Sequence, residues 1–330
     1  MRLAADSIAR RVSSVVVRLS GLLVCVGASP ARRRGSDAVG IESASLTFAG
    51  PRMSESRAVV VFAGVGCLGL DPDAHRAGGD ALGLLSARGV PLVLCSGRTR
   101  AELEYLQHRI GMAHPFICEH GAAVFVRTER FPGQSFDAVR SSGPYAVLEF
   151  GRRYVDVVAG VRRAALKARA SIVTFSEMSI AEVASACGVT LLRARLAKLR
   201  EYGEAFRVLD DGDGVARRRL WRQLHSAQLA CVADGAFDFA GPPIHLGIGA
   251  QWLMGLYRRT LGPIVTIGIG DRFHHGPLLR AVDVPIVVSR DAATVRQLIA
   301  AVPRAIELAD GDLATLLAAV LDRQSWFATL

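Results

Sequence analysis

Three stretches of this 330-residue chain carry groups able to do chemistry, and each follows an apolar run. The first, Gly64-Val65-Gly66-Cys67-Leu68-Gly69, comes after Ala58-Val59-Val60-Val61-Phe62. It matches a G-x-G-x-x-G dinucleotide-binding fingerprint, with Arg98 past the next strand available to a 2′-phosphate. A fingerprint helix should run on from the third glycine, but Leu70-Asp71-Pro72-Asp73 interposes a turn and Gly78-Gly79 interrupts the next segment. The second stretch, Ser96-Gly97-Arg98-Thr99, offers a hydroxyl, an approachable amide and a planar cation near a helix N-terminus, which are the parts of a phosphate site. In the competing structural role Ser96 only caps that helix and Arg98 is solvated. The third stretch ends Gly268-Ile269-Gly270-Asp271 and continues Arg272-Phe273-His274-His275. Imidazole and carboxylate suit zinc-like ions, yet adjacent histidines rarely point at one ion, so the expectation is loop histidines, with Asp271 capping a helix near Gly276.

These loops need strands to present them. The runs at Ala58–Phe62, Val90–Cys95, Phe116–Cys118 and Gly121–Val126, with helices expected over Ala74–Arg88 and Arg100–Ile110, make a β-α-β-α-β start. Between about Arg127 and Phe239 the texture changes to helices at Tyr154–Arg169, Ile180–Cys187 and Thr190–Tyr202, which reads as an inserted domain. The helix Ala250–Leu261 and the strand Pro263–Asp271 resume the first pattern, followed by a strand at Val284–Val288 and helices at Ala292–Ala300 and Leu313–Arg323. The division is therefore an extension over 1–52, a core in two parts over 53–126 and 240–330, and an insertion over 127–239. The fold class is α/β, a doubly wound, Rossmann-like core with an inserted α/β cap.

Composition narrows the partners. The net charge of +10 invites a nucleic-acid reading, but residues 1–52 hold eight arginines against Asp6, Asp37 and Glu42, half of the excess, and the rest is spread thinly. Lys167 and Lys198 are the only lysines, which points to coding bias rather than a polyanion surface. Six cysteines without a C-x-x-C pair fit a reduced, cytoplasmic setting. Arg10-Arg11 before the run Val12–Ala28 resembles an export signal that Arg18 interrupts, so the expectation is a disordered extension or a true start at Met53. No stretch has the roughly 18 to 20 uninterrupted apolar residues of a membrane span. Neither nucleic acid nor membrane is expected as a partner, and no protein partner is indicated.

The order of these loops resembles the haloacid-dehalogenase (HAD-like) superfamily of Cof type, with a large α/β cap, and within it the mannosyl-3-phosphoglycerate phosphatase branch. The residues that carry the likeness are Val60-Val61-Phe62, Leu94 through Leu103, Glu119-His120-Gly121-Ala122, Leu196 through Phe206, and Thr266 through Val288 with Gly276-Pro277-Leu278-Leu279. The resemblance implies a magnesium-dependent phosphatase acting on a phosphorylated sugar or glycerate. It further implies a carboxylate nucleophile and, two residues on, a carboxylate acid/base.

At those two positions this chain has Gly64 and Gly66, and Cys67-Leu68-Gly69 replaces the family's Gly-Thr-Leu. The family's post-cap lysine is missing, since none follows Lys198, and Arg98 lies in a different loop. Of the magnesium-binding Gly-Asp-x-x-Asn-Asp only Asp271 remains, with His275 at the second acid position. The expectation is a degenerate site that has lost phosphatase chemistry, binds magnesium weakly or not at all, and retains a phosphate loop at Ser96, Gly97 and Arg98. The alternatives are an impaired or rerouted hydrolase using Asp71, Asp73 or Asp271, and the dinucleotide-binding reading of Gly64–Gly69.

Overall fold

A computed structural model describes residues 57–69, 79–136, 139–209, 212–289, 291–308 and 313–322, together with the backbone of three N-terminal strands. Those strands, β1 (Val15–Leu19), β2 (Leu22–Val26) and β3 (Leu46–Ala49), pair in a three-stranded antiparallel sheet. The rest of the 1–52 extension, and Asp71 and Asp73, lie outside the described residues.

The first strand of the main body, β4 (Ala58–Gly64), shows why the loops end up together. Val59, Val61 and Ala63 pack into one apolar cluster and Val60 and Phe62 into another, so the strand is covered on both faces. After it come α1 (Gly79–Ala87), β5 (Leu92–Cys95), α2 (Arg100–Arg109), β6 (Phe116–Cys118), β7 (Ala123–Arg127), β8 (Arg140–Ser142) and β9 (Tyr145–Glu149). Next are α3 (Tyr154–Ala168), β10 (Ile172–Thr174), α4 (Ile180–Cys187), α5 (Leu191–Ala197), β11 (Glu204–Val208), α6 (Val215–Ser226), β12 (Ala230–Asp234) and β13 (Phe237–Gly241). The chain then returns through α7 (Leu246–Leu261), β14 (Ile264–Gly270), α8 (Gly276–Ala281), β15 (Val284–Val288), α9 (Ala292–Ala301), β16 (Ile306–Leu308) and α10 (Leu313–Asp322).

The large sheet has the order β16-β15-β14-β4-β5-β6-β7-β9-β8, parallel from β16 to β6 and antiparallel beyond. Its neighbours β14, β4 and β5 are parallel, so the loops that follow all three open at the same carboxyl edge, where open α/β sheets place their ligands. A second sheet, β10-β11-β13-β12, is antiparallel throughout. Phe206 and Ala240 pack with α3 and α6, while Ala205 and Phe237 pack with α4 and α5, so this sheet too is covered on both faces.

Sequence patterns reveal this inserted unit only as helices, because its strands run three to five residues and carry charges such as Glu204, Arg207 and Asp238. The expected start of the insertion at Arg127 meets a different pairing: Arg140–Glu149 hydrogen-bonds into the large sheet, and the second sheet's residues begin at Ile172. The helix expected over Thr190–Tyr202 ends at Ala197, and a Cβ on Gly203 would run into the Phe239 ring. Among the described residues no helix is long and apolar enough to cross a membrane, and the five cysteines described there are free.

The turn Glu119–Gly121 between β6 and β7 holds three residues at positive φ, of 44°, 59° and 105°. A Cβ on Gly121 would lie 2.5 Å from the carbonyl carbon of His245, a backbone atom that cannot swing aside. Gly121→Ala is expected to destabilise the fold by about 3 kcal/mol or more through strain and overpacking, read as a lower denaturation midpoint at unchanged m-value.

Candidate functional site

Gly64 is the last residue of β4, and Gly66–Leu68 forms a single 3-10 turn that Gly69 closes in the left-handed region at φ 58°. That left-handed stop opposes the dinucleotide reading, in which a helix opens at Gly69. Neither Gly64 nor Gly66 is among the residues at positive φ, so the backbone permits a side chain at both. The obstacle is space. A Cβ on Gly64 would lie 2.5 Å from His275 Cε1 and 3.1 Å from Cys67 Sγ, and one on Gly66 would collide with Asp271 Oδ2.

Asp271 and His275 leave the end of β14 as an i,i+4 pair. Asp271 does not cap α8, whose first turn follows His275 and has no side-chain cap. His275 Nδ1 lies 3.1 Å from Asp271 Oδ1 and 3.2 Å from the Asp271 backbone nitrogen. A ring nitrogen serves one of these at a time: it accepts from the amide when bare and donates to the carboxylate when protonated. Burial opposes the ionisation of Asp271, but the hydrogen bond and charge of His275, with Arg272 beside them, hold its carboxyl below the usual range. Cys67 is the third member: its Sγ and one atom each of Asp271 and His275 lie within 4.8 Å of one another. Burial, and then the Asp271 carboxylate, push the Cys67 thiol well up.

The loop after β5 approaches from the other side. Thr99, not Ser96, caps α2, in a reciprocal box in which Thr99 Oγ1 accepts from the Glu102 amide and Glu102 Oε2 accepts from the Thr99 amide at 2.9 Å. Ser96 Oγ instead accepts from the Arg98 amide at 3.2 Å. Ser96, Gly97, Arg98, Asp271 and His275 all line one cavity of ≈ 340 Å³. Gly97 is less open than its residue type suggests, since the His120 ring sits where its Cβ would be. His120 packs against His274 at 4.8 Å between ring centres, and its buried Nδ1 has no hydrogen-bond partner. Burial lowers the pKa of both imidazoles, that of His274 to about 3 with help from His275 and Arg272, so both stay neutral at physiological pH.

One residue from the inserted unit completes the cleft, and a buried carboxyl stands behind it. Arg200, in the segment after α5, lines the same cavity with Nη1 3.7 Å from Glu119 Oε2. Lys198 does not reach it, because its ammonium donates to the carbonyls of Phe175 and Met178. Glu119 is fully buried and accepts the backbone amides of Glu201 at 2.8 Å, Tyr202 at 3.2 Å and Gly203 at 2.9 Å. Sequence reasoning did not name Cys67, His120 or Arg200 as site residues; the available signals were the altered composition of Cys67-Leu68-Gly69 and the places of His120 and Arg200 in segments that carry the family likeness.

This donor set does not suit magnesium, which takes several oxygens in near-octahedral array, whereas one carboxylate, a thiol and an imidazole converge here.

Comparison with known proteins finds no matching family model. The chain is 33% identical over 220 residues to a glucosyl-3-phosphoglycerate/mannosyl-3-phosphoglycerate phosphatase of Methanococcoides burtonii, covering 67% of this chain and 80% of that one. It is 25% identical over 208 residues to a mannosyl-3-phosphoglycerate phosphatase of Pyrococcus furiosus, covering 62% and 80%. Its fold is shared with a phosphatase of the haloalkanoate superfamily from Bacteroides thetaiotaomicron, at TM-score 0.54 and 12% identity over 83% of this chain and 97% of that one. A third of the residues aligned with the first of these relatives are thus held in common, on a shared fold, and the chain belongs to the mannosyl-3-phosphoglycerate phosphatase branch of the Cof-type haloacid-dehalogenase superfamily.

Proposed function

We propose that this chain is a phosphatase homologue that holds a phosphorylated sugar or glycerate without hydrolysing it by the family route. The observation that carries the reading is the filled space at Gly64 and Gly66: His275 and Asp271 stand where the nucleophile and the acid/base would project. A site that had only lost two side chains would leave a void, whereas this one is repacked. Without a carboxylate there is neither an attacking oxygen nor a proton donor for the leaving group. Binding has other sources. Ser96, Arg98 and Arg200 border the cavity and offer a hydroxyl and two planar cations, the donors that phosphate oxygens pair with most strongly. Residues 150–241 act in this reading as the cap that closes over the phosphate loop.

The test is phosphate release from mannosyl-3-phosphoglycerate and glucosyl-3-phosphoglycerate with magnesium and, separately, with zinc, alongside calorimetric binding of the same compounds. The expected result is binding without release. Arg98→Ala is expected to weaken binding by about 1.5–3 kcal/mol, the worth of a charged hydrogen bond. Turnover at an ordinary enzymatic rate, or no binding at all, would overturn the reading.

A further inference from the structure

We propose that Cys67, Asp271 and His275 form a binding site for a zinc-class divalent cation, in place of the all-oxygen magnesium site that the resemblance implies. Their ligand atoms already converge within 4.8 Å. The 3.1 Å between Asp271 Oδ1 and His275 Nδ1 is near the ~3.3 Å separation of two ligands held at about 2.0–2.1 Å in a tetrahedron. Thiolate and imidazole are the donors that favour zinc and its neighbours over magnesium.

The three residues are also held in place. They leave the ends of β4 and β14, which pair in parallel register with Ala63 opposite Ile269. Cys67 and His275 are 7% and 4% exposed. Three protein ligands leave a fourth tetrahedral position, and the cleft these residues border supplies it to water or a ligand oxygen. His120 lines the same cleft, and its buried Nδ1 has no hydrogen-bond partner.

Capture of the ion balances in protons and charge. The Cys67 thiol gives its proton to solvent, and the thiolate and the Asp271 carboxylate together neutralise the dication. His275 Nδ1 exchanges its 3.2 Å contact with the Asp271 amide for the metal bond. One proton leaves per ion bound when His275 starts neutral.

Cobalt(II) is the spectroscopic stand-in for zinc. Metal-free, reduced full-chain protein, with no phosphorylated compound present, is expected to bind one equivalent of Co²⁺ with a thiolate-to-cobalt charge-transfer band. Zinc should displace it and excess magnesium should not. Cys67→Ser should abolish the band and weaken zinc binding by more than about 100-fold, beyond the cost of losing an outer partner of a metal ligand, while Cys187→Ser leaves both unchanged. Because a hydroxyl in the buried Cys67 site can disturb packing, Asp271→Asn provides a near-isosteric second variant that keeps the thiol and should weaken zinc about tenfold or more. Absence of the band in the native protein, its persistence in Cys67→Ser, or displacement by magnesium would overturn the site. Because the titration contains no phosphorylated ligand, its failure is separate from that of the ligand-holding reading, and zinc-supported hydrolysis would sink that reading while leaving the metal site standing.

Discussion

Restoring the two carboxylates alone is expected to leave the protein silent, whereas Gly64→Asp, Gly66→Asp and His275→Asp together should release phosphate from mannosyl-3-phosphoglycerate with magnesium. The difference is steric. An aspartate at position 66 needs the Asp271 carboxylate to turn aside in both variants, whereas a Cβ at position 64 meets the buried His275 ring at 2.5 Å and needs that ring displaced or removed. The third change clears that space and returns a second acid beside Asp271, giving magnesium the carboxylate oxygens it prefers. Misplacing a reacting group by about 1 Å can cost about 100-fold, so the triple variant, in which the imidazole no longer displaces the new nucleophile, should exceed the double variant by about 100-fold or more in initial rate. Equal rates in the two variants would mean that His275 is not the obstruction.

The fold was legible because its signals are local and strong. Each core strand is a run of apolar residues ending in Gly or a small polar residue, and its shortness and that punctuation, rather than alternation, separate it from a buried helix. The inserted sheet was not legible, since strands such as Ile172–Thr174 and Ala230–Asp234 are short, half-buried and held mainly by pairing with distant partners. At the site, the resemblance implied that Gly64, Gly66 and Asp271 are replaced or surviving positions, and one cavity is lined by Gly66 and Asp271 together with Ser96 and Arg98. It could not show that His275 fills the space at Gly64, or that Cys67 meets Asp271 and His275, because those contacts join loops about 200 residues apart. Against the metal reading of Asp271, His274 and His275 stands the rule that adjacent histidines rarely point at one ion, and the ligand atoms that converge belong to Cys67, Asp271 and His275, not His274.

Glu119→Ala is expected to be strongly destabilising, by about 3 kcal/mol or more, because each buried donor left unsatisfied costs about 1–3 kcal/mol. Its carboxyl is fully buried, and removing it strands the amides of Glu201, Tyr202 and Gly203 and takes the carboxylate from beside Arg200. Glu119→Gln should cost less, about 1–3 kcal/mol, because one oxygen survives while the new NH₂ faces backbone donors. The pH dependence separates charge from packing. Burial pushes the Glu119 carboxyl up to about 7, against the opposing pull of Arg200 and the three amides, from an ordinary 4.5. The folded chain therefore keeps a proton that the unfolded chain sheds between those values, so this contribution to stability is complete below pH 4.5 and is lost as the pH rises through 7. Urea midpoints of the native protein should fall across that window, and Glu119→Gln, which cannot titrate, should remove that component of the fall. A native profile that instead rises with pH there would mean that Arg200 and the amides outweigh burial, and that Glu119 holds the 201–203 segment as a carboxylate.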